Sequence, residues 1–284
     1  MKPTPLTNDP ARGQPLPSRA QPAVRAEHGI PRPVTDALVV EEPLQINING
    51  KPFSVTMRTP GHDAQLVKGL LLTEGIVDLD GLGIDVPLTP HEGYTVAELT
   101  VPEIYLCENL HEKRSLIANA SCGFCGKREI GDLNLAPRAL DGQGKLAARL
   151  IPQLVTAMRT RQGGFEVTGG CHAAAAFAID GTHLAQYEDI GRHNAVDKVI
   201  GHLVTEKQLG RAAILQVSGR VSFEIVSKAA VAGIPFLCAV SAPSSLAVDL
   251  ATQAGITLIG FSREERFTVY SHPQAIQFGD PDHE

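Results

Sequence analysis

The sequence predicts an α/β protein, a layered sheet with helices on both faces, preceded by a smaller α+β N-terminal portion. Three observations carry the α/β assignment. Beyond residue 170, apolar runs of strand length alternate with segments whose apolar residues recur at i, i+3, i+4 and i+7. Strand–helix–strand repeats of that length force parallel pairing, and near-continuous apolar strands suit a sheet covered on both sides. Nearer the N-terminus, two period-2 runs flank Asn49-Gly50, a strong hairpin signal because both residues tolerate positive φ.

The elements follow in order. The first 33 residues hold eight of the 20 prolines and no apolar periodicity, so residues 1–34 read as a disordered Pro-rich tail. Residues 35–144 make the α+β portion and residues 145–284 the α/β domain. In the first, Leu44, Ile46 and Ile48 run into Asn49-Gly50, and Phe53, Val55 and Met57 run out. A short helix from about Asp63 buries Leu66, Leu70 and Leu71 and stops at Gly75, and 96–101 is a strand. In the second, 145–161 is a helix ended by Gly163-Gly164, and strands 173–179 and 183–189 turn at Asp180-Gly181. A helix carrying Val196, Val199, Ile200 and Leu203 on one face follows. Strands 212–217, 235–241 and 256–261 then alternate with helices 223–232 and 246–254, each helix closed by a glycine (Gly233, Gly255).

Composition narrows the function. The 284 residues, 43% apolar, are enough to bury a core. A net charge of −6 leaves no basic footprint for nucleic acid, and 5% aromatics with no Trp supply few stacking platforms. The longest apolar runs fall short of the ~18 residues a membrane span needs, and no signal-peptide h-region is present. Five cysteines, an odd number in a long chain, argue against a disulfide framework and for a reducing, cytoplasmic setting.

Several constellations could carry chemistry. In Ser121-Cys122-Gly123-Phe124-Cys125-Gly126-Lys127, two thiols three positions apart can share a metal, form a disulfide or hand sulfur between them. Lys127 and Arg128 favour thiolate, the reactive form. A structural zinc site would need an irregular ligand set, since Cys107, Cys171 and Cys238 stand alone; no metal is expected. Thr168-Gly169-Gly170-Cys171-His172 allows close approach of a ligand to the backbone, with Cys171 read as a small buried residue. Glu188-Asp189-Ile190-Gly191-Arg192-His193-Asn194 opens a helix; Asn194 with Asp197 resembles a capping box, and Arg192 and His193 would sit at its positive end. Ser218-Gly219-Arg220 and Phe261-Ser262-Arg263-Glu264-Glu265-Arg266 follow strand ends, where open α/β sheets bind ligands, and paired arginines suit a pyrophosphate.

Taken together, these motifs resemble the FdhD family, the sulfur carriers that formate dehydrogenases require. The match runs over most of residues 36–273. The resemblance implies a cytidine-deaminase-like fold and a cytoplasmic homodimer. It also implies a sulfurtransferase role: sulfur passes from a cysteine desulfurase to the bis-molybdopterin guanine dinucleotide form of the molybdenum cofactor, before that cofactor enters formate dehydrogenase. Cys122 would carry the sulfur as a persulfide and Cys125 would assist or resolve it. Phe261, Ser262, Arg263, Glu264, Glu265 and Arg266 align with the family's cofactor-binding segment. Two other readings stay open: an active zinc deaminase, which lacks its H-x-E motif here, and a chaperone that escorts the cofactor without transferring sulfur.

Overall fold

The computed structural model describes residues 16–106, 117–118, 144–263 and 265–279. The loop with Cys122 and Cys125, Cys107 and Glu264 lie outside the described residues. The first finding corrects the expected tail. From Ser18 the chain forms an antiparallel hairpin, β1 (Ser18–Glu27) with β2 (Ile30–Val39), turned at His28 and Gly29 with φ of 52° and 79°. Both turn residues lie at positive φ, as a tight hairpin turn matching the strand twist requires. Prolines do not prevent the ladder because of where they fall. Val40 N–H donates to Pro17 O, which sets the bonded pairs as 17 with 40, 19 with 38 and so on. Pro22, Pro31 and Pro33 all occupy the alternate, non-bonded pairs, where a backbone N–H would point away from the partner strand.

Next comes a five-stranded sheet. β3 (Glu42–Ile48) and β4 (Lys51–Arg58) form the Asn49-Gly50 hairpin, with φ of 52° and 73° at the turn. α1 (Asp63–Thr73) follows, ending before Gly75 at φ 61°. β5 (Leu88–His91), β6 (Tyr94–Leu99) and β7 (Ile117–Ala118) complete the order β5-β6-β3-β4-β7. β7 runs parallel to β4, pairing Ala118 with Thr56.

The single helix expected over 145–161 is divided. β8 (Leu146–Ala147) pairs with β15 (Ile276–Gln277), and α2 runs only over Leu150–Arg159. Pro152 explains the late start, since proline is tolerated only in a helix's first turn. Gly163 and Gly164 do not simply end a helix; they open another, α3 (Gly163–Thr168). The remaining elements are β9 (His172–Phe177), β10 (His183–Asp189), α4 (Arg192–Thr205), β11 (Ile214–Val217) and α5 (Phe223–Val231). After them come β12 (Phe236–Ala239), α6 (Ser245–Gln253), β13 (Thr257–Arg263) and β14 (Arg266–Val269).

These strands make a six-stranded sheet in the order β10-β9-β11-β12-β13-β14. Only β11, β12 and β13 pair in parallel; β9 separates β10 from β11 and runs antiparallel to both. The expected parallel pairing therefore holds for the centre of the sheet alone. Both faces are covered, as the apolar runs predict. Ala174, Ala176, Leu215, Val217, Leu237 and Leu258 join the core under α4, α5 and α6. Their neighbours Ala173, Ala175, Phe177, Ile214, Phe236 and Ile259 pack with Leu154 and Met158 of α2 on the other side. Alternation along each strand sends successive side chains to opposite faces.

The boundary near residue 144 separates sheets but not cores. One apolar cluster runs from Leu44 and Ile46 through Leu66 and Leu71 of α1 to Val196 and Ile200 of α4. α1 and α4 meet at two glycines. A Cβ on Gly69 would overlap the backbone carbonyl of Asp197, and one on Gly201 that of Gln65. Buried charges span the same junction: Lys228 of α5 donates to Asp197 Oδ2 at 2.9 Å and to Glu74 Oε1 at 3.0 Å. Among the described residues no helix is long and apolar enough to cross a membrane.

Candidate functional site

The crossover loops at the C-terminal edge of β11, β12 and β13 lie side by side. Val221 N–H donates to Ala242 O at 3.1 Å, and Phe261 N–H donates to Ser241 O at 3.2 Å. Residues 261–266 are the tip of the β13–β14 hairpin, with Arg263 paired across from Arg266. They were expected as a loop leaving a strand; the strand instead continues and turns back. Phe261 sits at φ 51°, its ring exposed. Phe261, Arg263 and Arg266 line a hollow of about 430 Å³ together with Phe267 and Thr268. Ser262 points the other way by strand alternation; it is fully buried and its Oγ has no hydrogen-bond partner. Glu265 is exposed in the turn.

A second hollow, of about 510 Å³, adjoins the first. It is lined by Arg159, Phe165, Gly170, Cys171, His172 and Val240, among others. Val240 links the two, because its carbonyl accepts from Arg263 Nε at 3.3 Å. The Arg159 guanidinium lies over the Phe165 ring, 4.7 Å from its centre. Cys171 is buried and donates to Glu188 Oε1 at 3.2 Å. Burial and then the Glu188 charge push this thiol well above the usual cysteine range, so it is inert. Glu188 also accepts from Gly164 N–H and Phe165 N–H, both at 2.8 Å, and so caps α3. His172 is held below the usual imidazole range by burial and then by the Arg192 cation, which leaves it neutral near pH 7.

The 188–198 motif divides into two jobs. The expected capping box between Asn194 and Asp197 does not form; Gly191 is the N-cap of α4, and both side chains turn inward instead. Asp189 Oδ1 accepts from Gly191 N–H at 2.8 Å and from Asn194 Nδ2 at 3.0 Å, while Oδ2 accepts from Thr59 N–H. Asn194 donates to Met57 O at 2.7 Å, and Lys198 donates to Thr59 O at 2.9 Å. Asp189, Asn194 and Lys198 thus fasten α4 to β4 and have no face toward a ligand. Arg192 and His193 remain, and their atoms Arg192 Nε and His193 Nε2 are buried without hydrogen-bond partners.

Comparison with known proteins places these features. The model of the FdhD/NarQ family matches residues 39–277. This chain belongs to the FdhD/NarQ family. The FdhD/NarQ match begins at the end of β2 and takes in the five-stranded and six-stranded sheets. "Sulfur carrier protein FdhD" of Nocardia farcinica is 46% identical over 83% of this chain and 86% of its own length. The protein of that name in Sulfolobus acidocaldarius is 42% identical over 85% of this chain and 91% of its own length. A crystal structure described as a candidate formate dehydrogenase accessory protein from Desulfotalea psychrophila superposes with a TM-score of 0.70. It covers 93% of this chain and 100% of its own, and at 24% identity it speaks for the fold of this FdhD/NarQ chain alone.

Of the six expected cofactor residues, three (Phe261, Arg263 and Arg266) share one hollow. Cys122 and Cys125 fall outside the described residues, as does Glu264. Sequence reasoning passed over Arg159 and Ser222. Arg159 sits on the last turn of an amphipathic helix, where a cation is expected anyway. Ser222 holds the N-cap position of α5, yet its side chain accepts no bond from the helix.

Proposed function

We propose that this chain is a cytoplasmic sulfur carrier of persulfide type that serves the maturation of formate dehydrogenase. Cys122 takes sulfur from a cysteine desulfurase. Its thiolate attacks the outer sulfur of the donor's persulfide, a new S–S bond forms, and the donor cysteine leaves as thiolate. The exchange is balanced and needs no outside oxidant. Cys125 assists or resolves the product. The sulfur then passes to the client, the molybdenum bis(molybdopterin guanine dinucleotide), whose guanine dinucleotide is held by residues 261–266. The protein acts as a homodimer on a cytidine-deaminase-like layering, a reading supported by the sheet with helices on both faces.

The observation that carries this reading is the hollow between Phe261, Arg263 and Arg266. It offers a ring and two guanidiniums at a strand end, which suits a purine and a pyrophosphate. The names of the relatives, sulfur carriers in Nocardia and Sulfolobus, support the transfer chemistry.

Mass spectrometry after treatment with a desulfurase and cysteine tests the carrier step. One added sulfur is expected on Cys122, none in Cys122→Ala, and loss of formate dehydrogenase maturation in that variant. Cys125→Ala is milder, since one thiolate suffices to hold sulfur. Full maturation by Cys122→Ala sinks the reading. Calorimetry with GDP tests the nucleotide seat: Arg263→Ala with Arg266→Ala weakens binding by about 1.5–3 kcal/mol per lost contact. Unchanged affinity moves the nucleotide elsewhere.

A further inference from the structure

We propose that the β1–β2 arm grips a second copy of this chain through one of its two faces, and that the grip is reciprocal. The inference rests on the homodimer reading above and names the surface that makes it. Successive residues of a strand point to opposite sides, and paired residues of two antiparallel strands share a side. The register from Ser18↔Val39 to Glu27↔Ile30 therefore sorts the arm. All five charged residues of the two strands, Arg19, Arg25, Glu27, Arg32 and Asp36, fall on one face. The other face carries Ala20, Pro22, Val24, Ala26, Pro31 and Pro33, and no charge anywhere along it.

The uncharged face is the one that already packs. Leu16 and Val39 belong to it by the same alternation, and they bed against the two ends of α3. A Cβ on Gly164 would come within 2.6 Å of Leu16 Cδ1, and one on Gly170 within 3.2 Å of Val39 Cγ1. With six residues α3 reaches about 9 Å, whereas the ten-residue strands reach about 33 Å. The body therefore covers the root of this face and the rest overhangs: Val24 is 70% exposed. A two-stranded ladder with nothing against either face is barely stable in water, so the overhang calls for a cover.

Three features fix the occupant. A face without charge offers no partner to phosphates, lipid headgroups or an acidic peptide. Pro22, Pro31 and Pro33 block strand addition at the edges, which excludes an extended peptide paired through its backbone. Area decides the rest. The overhang measures about 25 Å by 10 Å, while a specific interface buries at least about 1,000 Å² in all. One arm on one partner reaches about half of that, and two arms exchanged about a twofold axis reach it. Only a second copy brings the second arm. Short and ringed side chains also lose little freedom on docking. Residues 1–39 hold five of the 25 Lys and Arg and three of the 31 Asp and Glu, so the rest of the chain carries a net charge of −8. Two such bodies repel, and an uncharged arm is the surface on which they meet without that cost.

The experiment is sedimentation equilibrium of the full chain at micromolar concentration. The wild type is expected to be a dimer. Val24→Glu weakens association at least tenfold, and Val24→Lys does the same, because the face rather than the sign of the charge matters. Ala23→Glu, one residue along on the charged face, changes association less than twofold. Thr35→Arg repeats the test from β2, on the uncharged face opposite Pro22. A wild type that sediments as a monomer overturns this proposal together with the homodimer reading. A wild-type dimer that Val24→Glu and Thr35→Arg leave intact overturns the proposal alone, as does an equal loss from Ala23→Glu, which would mark a frayed hairpin instead of a lost face.

Discussion

Lys198 Nζ lies 2.7 Å from Asp189 Oδ2, and neither side chain has any exposure to solvent. Thr59, just past β4, gives its N–H to Asp189 Oδ2 and its carbonyl to Lys198, while Asp189 Oδ1 accepts from Gly191 N–H and Asn194 Nδ2. Replacing Lys198 by Met leaves a carboxylate buried without a counter-charge. The expected loss is about 3–5 kcal/mol, read as a lower urea midpoint at unchanged slope. A loss under 1 kcal/mol would mean that the pair is open to water.

The glycine crossing of α1 and α4 gives a second prediction. Gly69→Ala places a methyl against the Asp197 carbonyl, with backbone on both sides and no flexible group to give way. Helix propensity favours alanine by about 1 kcal/mol, yet overpacking opposes it by roughly 3 kcal/mol or more. Net destabilisation is expected, and a gain in melting temperature would refute the close approach.

Acid should expose the role of Glu224. Burial alone would raise its carboxyl, but His193 and Ser222 beside it outweigh that and hold it at about 2 against an ordinary value of 4.5. A depressed carboxylate contributes stability that is complete above pH 4.5 and fades as pH falls toward 2. Wild type and Glu224→Gln should therefore differ most above pH 4.5, by the order of 1–2 kcal/mol, and converge near pH 2. Parallel curves across that window would argue that the carboxylate is unperturbed.

Alkylation should separate the cysteines. Cys171 and Cys238 are both buried, and burial pushes the Cys238 thiol up to about 12. With iodoacetamide at pH 8, peptide mapping of the folded protein should find these two unlabelled while Cys122 reacts. Fast labelling of Cys171 would contradict its bond to Glu188.

Truncation of residues 1–34 should cost no more than about 1–2 kcal/mol, or a few degrees in melting temperature. The hairpin is exposed along nearly all its length, and it touches the body mainly where Leu16 and Val39 approach Gly164 and Gly170. A larger drop would place more of it against the core.

Most of the fold was legible because its signals are local. Asn49-Gly50, the glycines closing α1, α5 and α6, and the apolar faces of α4 and α5 each sit within one element. What escaped depends on partners far along the chain. Leu146 and Ala147 become a strand only because Ile276 and Gln277 lie beside them. Asn194 looked like a cap because Asp197 stands three residues on; its actual bonds reach Met57 and Thr56, across some 137 positions. At the site, arginines and a strand end could be read directly. The pairing of α4 with α5 could not, since nothing in the spacing of His193 and Glu224 announces their contact.

Pro22, Pro31 and Pro33 also shape what the arm presents to its surroundings. Each strand of a lone hairpin has a bare outer edge, on which every second residue offers an N–H to any passing extended chain. The prolines stand at those outward positions, one on β1 and two on β2. They deny a newcomer a continuous row of donors on either side. The arm can thus stand exposed in a crowded solution without templating edge-to-edge aggregates, which a run of valines at the same places would invite.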